Sequence, residues 1–327
     1  VIVHETSMIE RVRTPPIRPS RVIGGASPPA RAGRGPKPVR LYAAFAAVWV
    51  LWGSTYLAIR IALEALPPLL MAGTRFLVAG SILYAWAATT KAPRPKLIEW
   101  RSAAIVGGLL LFVGNGGVVL SEQRIPSSLA ALLVSGTPMW MTLLDWVRHG
   151  KRPEPTTVIG LVLGVVGVAI LVAPAEIDPT GAVDSIGAIL VLGASLAWAV
   201  GSMYSRTAPL PASPIRATGM EMLAGGAFLV AAGLVHGEAG ALAYSTVTAR
   251  AAAALFYLVV AGSLAGFTSY IYLLKHTTPA RATTYAYVNP AVAVLLGWAI
   301  ADEPITQRVL IAGCVIVCAL VLITRRK

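Results

Sequence analysis

Two ionisable residues stand inside long apolar runs of this chain: Arg75, within MAGTRFLVAG, and Glu221, within ATGMEMLAGG. A charge held in hydrocarbon is costly, so its default reading is functional. Arg75 can hold an anionic group such as a carboxylate. Glu221 can accept a proton or a cation. The competing reading for each is a structural charge near the interface that pairs with a neighbour or snorkels to water. Asn115, in Gly114-Asn115-Gly116-Gly117, places an amide where glycines break an apolar run. Small residues of that kind serve either a cavity wall or close helix packing. Tyr285, Tyr287 and Asn289 precede Pro290. That proline leaves the Ala286 carbonyl without its helical partner, and such a group is best placed against a cavity. Thr137-Pro138 is the same feature earlier in the chain. Trp52, Tyr56, Trp198 and Tyr204, with Ser54 and Ser202 between them, are candidate cavity walls, though the tryptophans also suit interface anchoring. Glu122 and Lys275 end comparable runs and read as interfacial. Asp145 sits three residues before Arg148, a spacing that pairs charges on a helix.

Other chemistry has no foothold. The 4 histidines make no metal-ligand spacing, and Cys314 and Cys318, in one apolar run, read as small apolar core residues. There is no His-Glu-x-x-His and no glycine-rich phosphate loop ending in Gly-Lys-Ser/Thr. No loop is long enough for a soluble active site. No cofactor, metal or enzyme activity is expected, and any energy used must come from a gradient.

These residues need elements that cross a bilayer. The 327 residues are 56% hydrophobic and 13% charged, with mean hydropathy +0.73; a soluble domain carries roughly 25% charged residues. The spacing predicts helical spans near 41–62, 68–90, 101–122, 127–148, 156–173, 184–205, 215–236, 250–274, 279–301 and 305–324. Each is close to the roughly 20 residues that cross a hydrocarbon core. Residues 1–40, rich in Arg, Pro and Gly, read as a disordered basic cytoplasmic tail. The net charge of +13 would suit nucleic acid, but the Lys and Arg fall in a tail and in short loops, with no groove-sized basic face. Nucleic acid is therefore not an expected partner. Lys and Arg crowd one set of loops, at Arg40, Arg94, Arg148, Arg206, Arg281 and Arg326. The alternate set holds Arg60, Arg124, Arg250 and Arg308 with acidic residues such as Asp184 and Glu303. That alternation puts both termini in the cytoplasm.

The chain also repeats itself. Thr137-Pro138 with Trp146 eight residues on matches Asn289-Pro290 with Trp298 eight residues on. Gly53-Ser54-Thr55-Tyr56 matches Gly201-Ser202-Met203-Tyr204, and Arg75 aligns with Glu221. Five spans per half is an odd number, so the second half, 184–324, must sit inverted relative to the first, 41–173. Inverted repeats are frequent in secondary transporters, with the substrate near the midplane between halves.

Several stretches resemble the EamA family of the drug/metabolite transporter superfamily. They are Trp52-Gly53-Ser54-Thr55-Tyr56 through Arg60, Pro67-Pro68, and Met71-Ala72-Gly73-Thr74-Arg75-Phe76. Val113-Gly114-Asn115-Gly116, Trp198 with Gly201-Ser202, Glu221-Met222-Leu223, Ser269-Tyr270 through Tyr272, and Tyr285 through Pro290 continue the series. The resemblance covers about 41–324. It implies an all-α integral membrane protein of ten transmembrane helices in two inverted five-helix EamA repeats. It also implies export of small metabolites, amino acids or drugs across a bacterial inner membrane. The small-molecule substrate and the lipid bilayer are then the partners, and the peripheral fifth and tenth spans support a homodimer. Alternatives are an uncoupled facilitator of the same fold, or a membrane-embedded enzyme or lipid-handling protein.

Overall fold

A computed structural model describes residues 38–89, 93–150, 154–172, 183–241, 247–277 and 285–324. The tail at 1–37, the acidic segment at 173–182 and the start of the expected ninth span, with Pro279 and Arg281, lie outside the described residues. Among those described, every element is helical. In chain order they are α1 (Pro38–Ala62), α2 (Pro68–Ala88), α3 (Leu97–Gly107), a π-helical segment (Gly108–Asn115), α4 (Gly116–Ser121), α5 (Ser127–Val134), α6 (Thr137–His149) and α7 (Pro155–Val172). There follow α8 (Ser185–Ser205), α9 (Pro214–Val235), α10 (Glu238–Ala241), α11 (Ala249–Tyr257), a second π segment (Leu258–Ala265), α12 (Gly266–His276), α13 (Tyr285–Ala301) and α14 (Gln307–Thr324).

Among the described residues, seven helices are long and apolar enough to cross a bilayer: Pro38–Ala62, Pro68–Ala88, Leu97–Ser121, Ser127–Arg148, Ser185–Ser205, Pro214–Val235 and Ala249–Tyr270. Three shorter apolar helices, Pro155–Ile170, Val288–Ala301 and Gln307–Leu322, fall at the other expected positions. Outward faces are apolar, as at Val158, Val162, Val165, Leu295 and Leu310. Apolar rings and branches at such sites suit a lipid solvent. The protein is a multi-pass membrane protein.

Local chemistry sets the starts. Asp184 accepts from the Gly187 amide at 2.7 Å and Thr248 Oγ1 from Ala251 at 3.1 Å, each capping a helix that follows. α2 and α9 open with Pro68 and Pro214 at the first turn, where a missing N–H costs nothing. α2 and α5 have no local side-chain cap. Each borrows a carboxylate from the distant second half. Glu238 accepts from the amides of Leu69 and Leu70. Glu303 accepts from the amides of Ser127 (2.8 Å) and Ser128 (3.0 Å) and from the Ser127 hydroxyl (2.7 Å). A carboxylate there satisfies orphan donors and meets the positive end of the helix dipole. Asp302, in the left-handed region at φ 52, turns the chain after α13. The carboxylate then passes Gly297, where a Cβ would lie 2.5 Å from Glu303 Oε2.

The largest helix contact is α2 against α9. A Cβ on Gly80 would sit 2.9 Å from the Leu223 amide nitrogen, and one on Gly226 would sit 2.9 Å from that of Leu77. Glycines therefore let the two backbones touch, as small residues do between membrane helices. α7 packs along α14, where Arg308 Nε donates to the Ile170 carbonyl at 2.6 Å.

Two sequence expectations are corrected. The glycines around Asn115 do not break the third span. The helix continues through them as a π segment, because glycine and a widened turn tolerate each other. The fourth span runs over Ser127–Arg148 as expected and holds a turn at Ser135-Gly136, with Ser135 and Thr137 hydroxyls bonded back to Leu132 and Val134 carbonyls. Cys314 and Cys318 are exposed on α14 rather than in the core.

Candidate substrate site

α1, the second π segment, α12 and α13 meet around Trp52. Its indole Nε1–H donates to the Gly262 carbonyl at 3.1 Å. Its ring lies 5.2 Å from Phe267, 5.2 Å from Tyr270 and 5.0 Å from Tyr285, and Tyr270 and Tyr285 meet edge-on at 5.9 Å. Contacts of this geometry each add about 1 kcal/mol beyond buried area. The result is a rigid aromatic cluster with two phenol groups.

Arg75 reaches the same carbonyl-rich turn from α2. It is 4% exposed. Its Nε–H donates to Ser263 Oγ at 2.9 Å, and its guanidinium carbon lies 4.8 Å from the Phe76 ring centre. A Cβ on Gly262 would lie 3.0 Å from an Arg75 terminal nitrogen and 2.8 Å from Thr55 Cγ2. Only glycine admits both neighbours. No carboxylate pairs with Arg75 among the described residues. A buried guanidinium bonded through one N–H to a neutral hydroxyl keeps its forked donor pair for another ligand.

The other expected residues divide into three groups. Ser54 shares a 2.6 Å hydrogen bond with the Tyr257 hydroxyl, tying α1 to α11. Asn289 is buried, and with its amide nitrogen directed at them it donates to the Trp49 and Tyr285 carbonyls at 3.1 and 3.2 Å. Its amide therefore locks α13 to α1. The Thr137 hydroxyl donates to the Val134 carbonyl at the end of α5, across the turn that precedes α6. Tyr56 is half-buried and lies in electrostatic range of both Glu122 and Tyr285. In the second half, Trp198 packs on Gly114, where a Cβ would lie 3.3 Å from its ring. Asn115 follows, with its Oδ1 buried and unpartnered. Ser202 and Tyr204 are half-buried near the end of α8. The Tyr287 side chain lies outside the described residues.

Glu221 does not join Arg75. It is half-buried on α9, and its backbone carbonyl lies against Gly107 of α3, where a Cβ would collide with it. The charge that Arg75 does feel is Glu122. Glu122, expected at the interface, is 0% exposed with neither carboxylate oxygen hydrogen-bonded. Sequence reasoning also missed Phe267 and Ser263 as site neighbours. Tyr270 lay in a noted stretch, but nothing in that stretch signals which aromatic faces Trp52.

The two π segments occupy matching places: each has 8 residues and follows the first helix of its span. The sequence profile of the EamA-like transporter family matches residues 40–173 and again residues 185–325. The chain belongs to the EamA-like transporter family. Among EamA relatives, an uncharacterized inner membrane transporter of Escherichia coli, YedA, is 38% identical over 88% of this chain and 91% of its own length. A probable terminal-alkyne amino-acid exporter of Streptantibioticus cattleyicolor is 27% identical over 86% of this chain and 94% of its own. A protein of known crystal structure matches with TM-score 0.60 and 19% identity, over 87% of this chain and 97% of the other. That last likeness is one of fold.

Proposed function

We propose that this protein is a secondary transporter of the bacterial inner membrane that exports a small amphiphilic metabolite bearing a carboxylate, amino acids foremost. Ten spans in two inverted five-helix halves would alternate access to the site, with both termini cytoplasmic. The carrying observation is Arg75: a buried guanidinium whose protein partner is a neutral hydroxyl, beside an aromatic wall of Trp52, Tyr270 and Tyr285. A buried cation of this kind is costly unless an anion completes it. A carboxylate fits the guanidinium fork, and aromatic faces hold an apolar body. The amino-acid exporter among the relatives points the same way. The outward apolar face of α7 and α14 is where a homodimer would form.

Growth of a sensitive bacterial host tests this on a panel of toxic amino acids, their analogues and cationic drugs. Cells carry the wild-type protein, Arg75→Gln, Arg75→Lys, Glu221→Gln or an empty vector at matched expression. We expect resistance to carboxylate-bearing compounds, lost in Arg75→Gln and partly kept in Arg75→Lys. Resistance confined to cationic drugs, or unchanged in Arg75→Gln, would refute the carboxylate reading. Loss of resistance in Glu221→Gln would give that residue the coupling role the sequence suggested.

A further inference from the structure

Glu122 is the one carboxylate whose two oxygens are both buried without a partner among the described residues. It ends α4, and its side chain is 0% exposed. Its backbone is fully used. The amide donates to the Val118 carbonyl at 3.0 Å, and its own carbonyl accepts from Arg60 Nη1 at 2.8 Å. The side chain is thus fixed in place while its acid group is left free.

We propose that Glu122 is a proton-binding site of the transport cycle, linked to occupancy of Arg75, so that the substrate carboxylate and a proton are bound together. The proposal rests on the carboxylate reading of Arg75 given above. A carboxylate anion with neither oxygen hydrogen-bonded is among the costliest groups to bury, whereas the neutral acid removes most of that penalty. In this conformation Glu122 therefore carries its proton.

The surrounding charges make the linkage. Glu122 lies in electrostatic range of Tyr56 and Arg60 of α1, Arg75 of α2, and Glu303 in the segment after α13. α8 also packs on α4, but its titratable side chain, Tyr204, is at its far end. The capping Asp184 pairs with Arg124 at the surface. The first π segment, which also packs on α4, has no titratable residue. Two arginines thus favour the ionised acid and one glutamate opposes it. An anion arriving at Arg75 offsets one of those two positive charges and favours the protonated acid. By linkage, protonated Glu122 favours the anion at Arg75 to the same degree. The pair would then cross as the equivalent of a neutral acid, with the substrate's own accumulation able to drive it outward. Tyr56, in range of Glu122 on one side and Tyr285 on the other, joins the acid to the aromatic cluster.

Infrared difference spectroscopy of the purified protein in lipid, stepped from acid to alkaline pH, reads this without any ligand. A protonated-carboxyl carbonyl component should be present, disappear in Glu122→Gln and remain in Glu221→Gln. Its titration midpoint should move upward in Arg75→Gln, where the lost charge stands in for an occupied arginine. Arg60→Gln, at an exposed position, should move it in the same direction and serves if Arg75→Gln does not fold. A spectrum unchanged by Glu122→Gln would overturn the proposal, as would a midpoint that ignores both arginines. A positive infrared result with no Arg75 dependence in the resistance panel would keep the proton site and remove the substrate reading.

Discussion

Burial alone would raise the Glu303 carboxyl, but hydrogen bonds from Ser128 and Ser127 outweigh it and hold the group below its ordinary value. A lowered carboxyl contributes stability above its unfolded value, near pH 4.3, and loses it as pH falls through the folded value. Glu303→Gln keeps one acceptor oxygen but loses the charge at the start of α5. We expect it to lower stability at neutral pH by about 1 kcal/mol, measured by thermal unfolding in detergent followed by tryptophan fluorescence. Below about pH 4 the difference from wild type should shrink; a constant gap across that range would show that charge is not the source. At this scale the sequence is a partial guide. Arg75 is legible because a lone charge in an apolar run has few innocent explanations. Glu122 is not, because it ends its run and looks interfacial, and only the fold shows that it is fully buried. Asn289 carries a second task that the sequence does not show: with its amide nitrogen directed at them, it donates to the Tyr285 and Trp49 carbonyls.

At the scale of elements, span positions are readable because hydropathy follows directly from bilayer thickness. Internal geometry is not. The two π segments consist mostly of small and apolar residues that would suit an α-helix equally well, and in the second of them Trp52 bonds the Gly262 carbonyl. Glycine roles are similarly hidden until partners are known. A Cβ on Gly80 would meet the Leu223 amide nitrogen and Met222 Cβ at 2.9 Å each, whereas one on Gly193 has nothing within 4 Å. Backbone cannot move aside as a flexible side chain can. Gly80→Ala should therefore destabilise the α2–α9 contact by about 1–3 kcal/mol. Gly193→Ala, inside α8, should be neutral or gain up to about 1 kcal/mol from helix propensity. Equal melting shifts for the two variants would show that the close approach of α2 and α9 is not a source of stability.

For the whole molecule, the pattern of helix contacts bears on how the halves are related. Numbered by repeat, α2 corresponds to α9 and α7 to α14, and each packs on its own counterpart. α1 packs on α13, while α8 packs on α5 and α6, so those contacts also exchange between halves. A two-fold axis relating the repeats would account for all of them. If that axis lies in the membrane plane, as the proposed five spans per half would require, corresponding loops lie on opposite sides. Glu64 follows the first helix of one half and Arg206 the first helix of the other. With Cys314 and Cys318 first replaced by Ala, single cysteines at these sites can be probed with a membrane-impermeant maleimide. Glu64→Cys should label in intact cells, and Arg206→Cys only after permeabilisation. Arg94→Cys, after α2, should behave like Arg206→Cys. Glu64→Cys and Arg206→Cys labelling from the same side would rule out inversion and with it the alternating-access scheme. Opposite labelling would place Arg75 and Glu221, the two charges the repeat aligns, in helices of opposite direction, each offered to the shared interior from its own half.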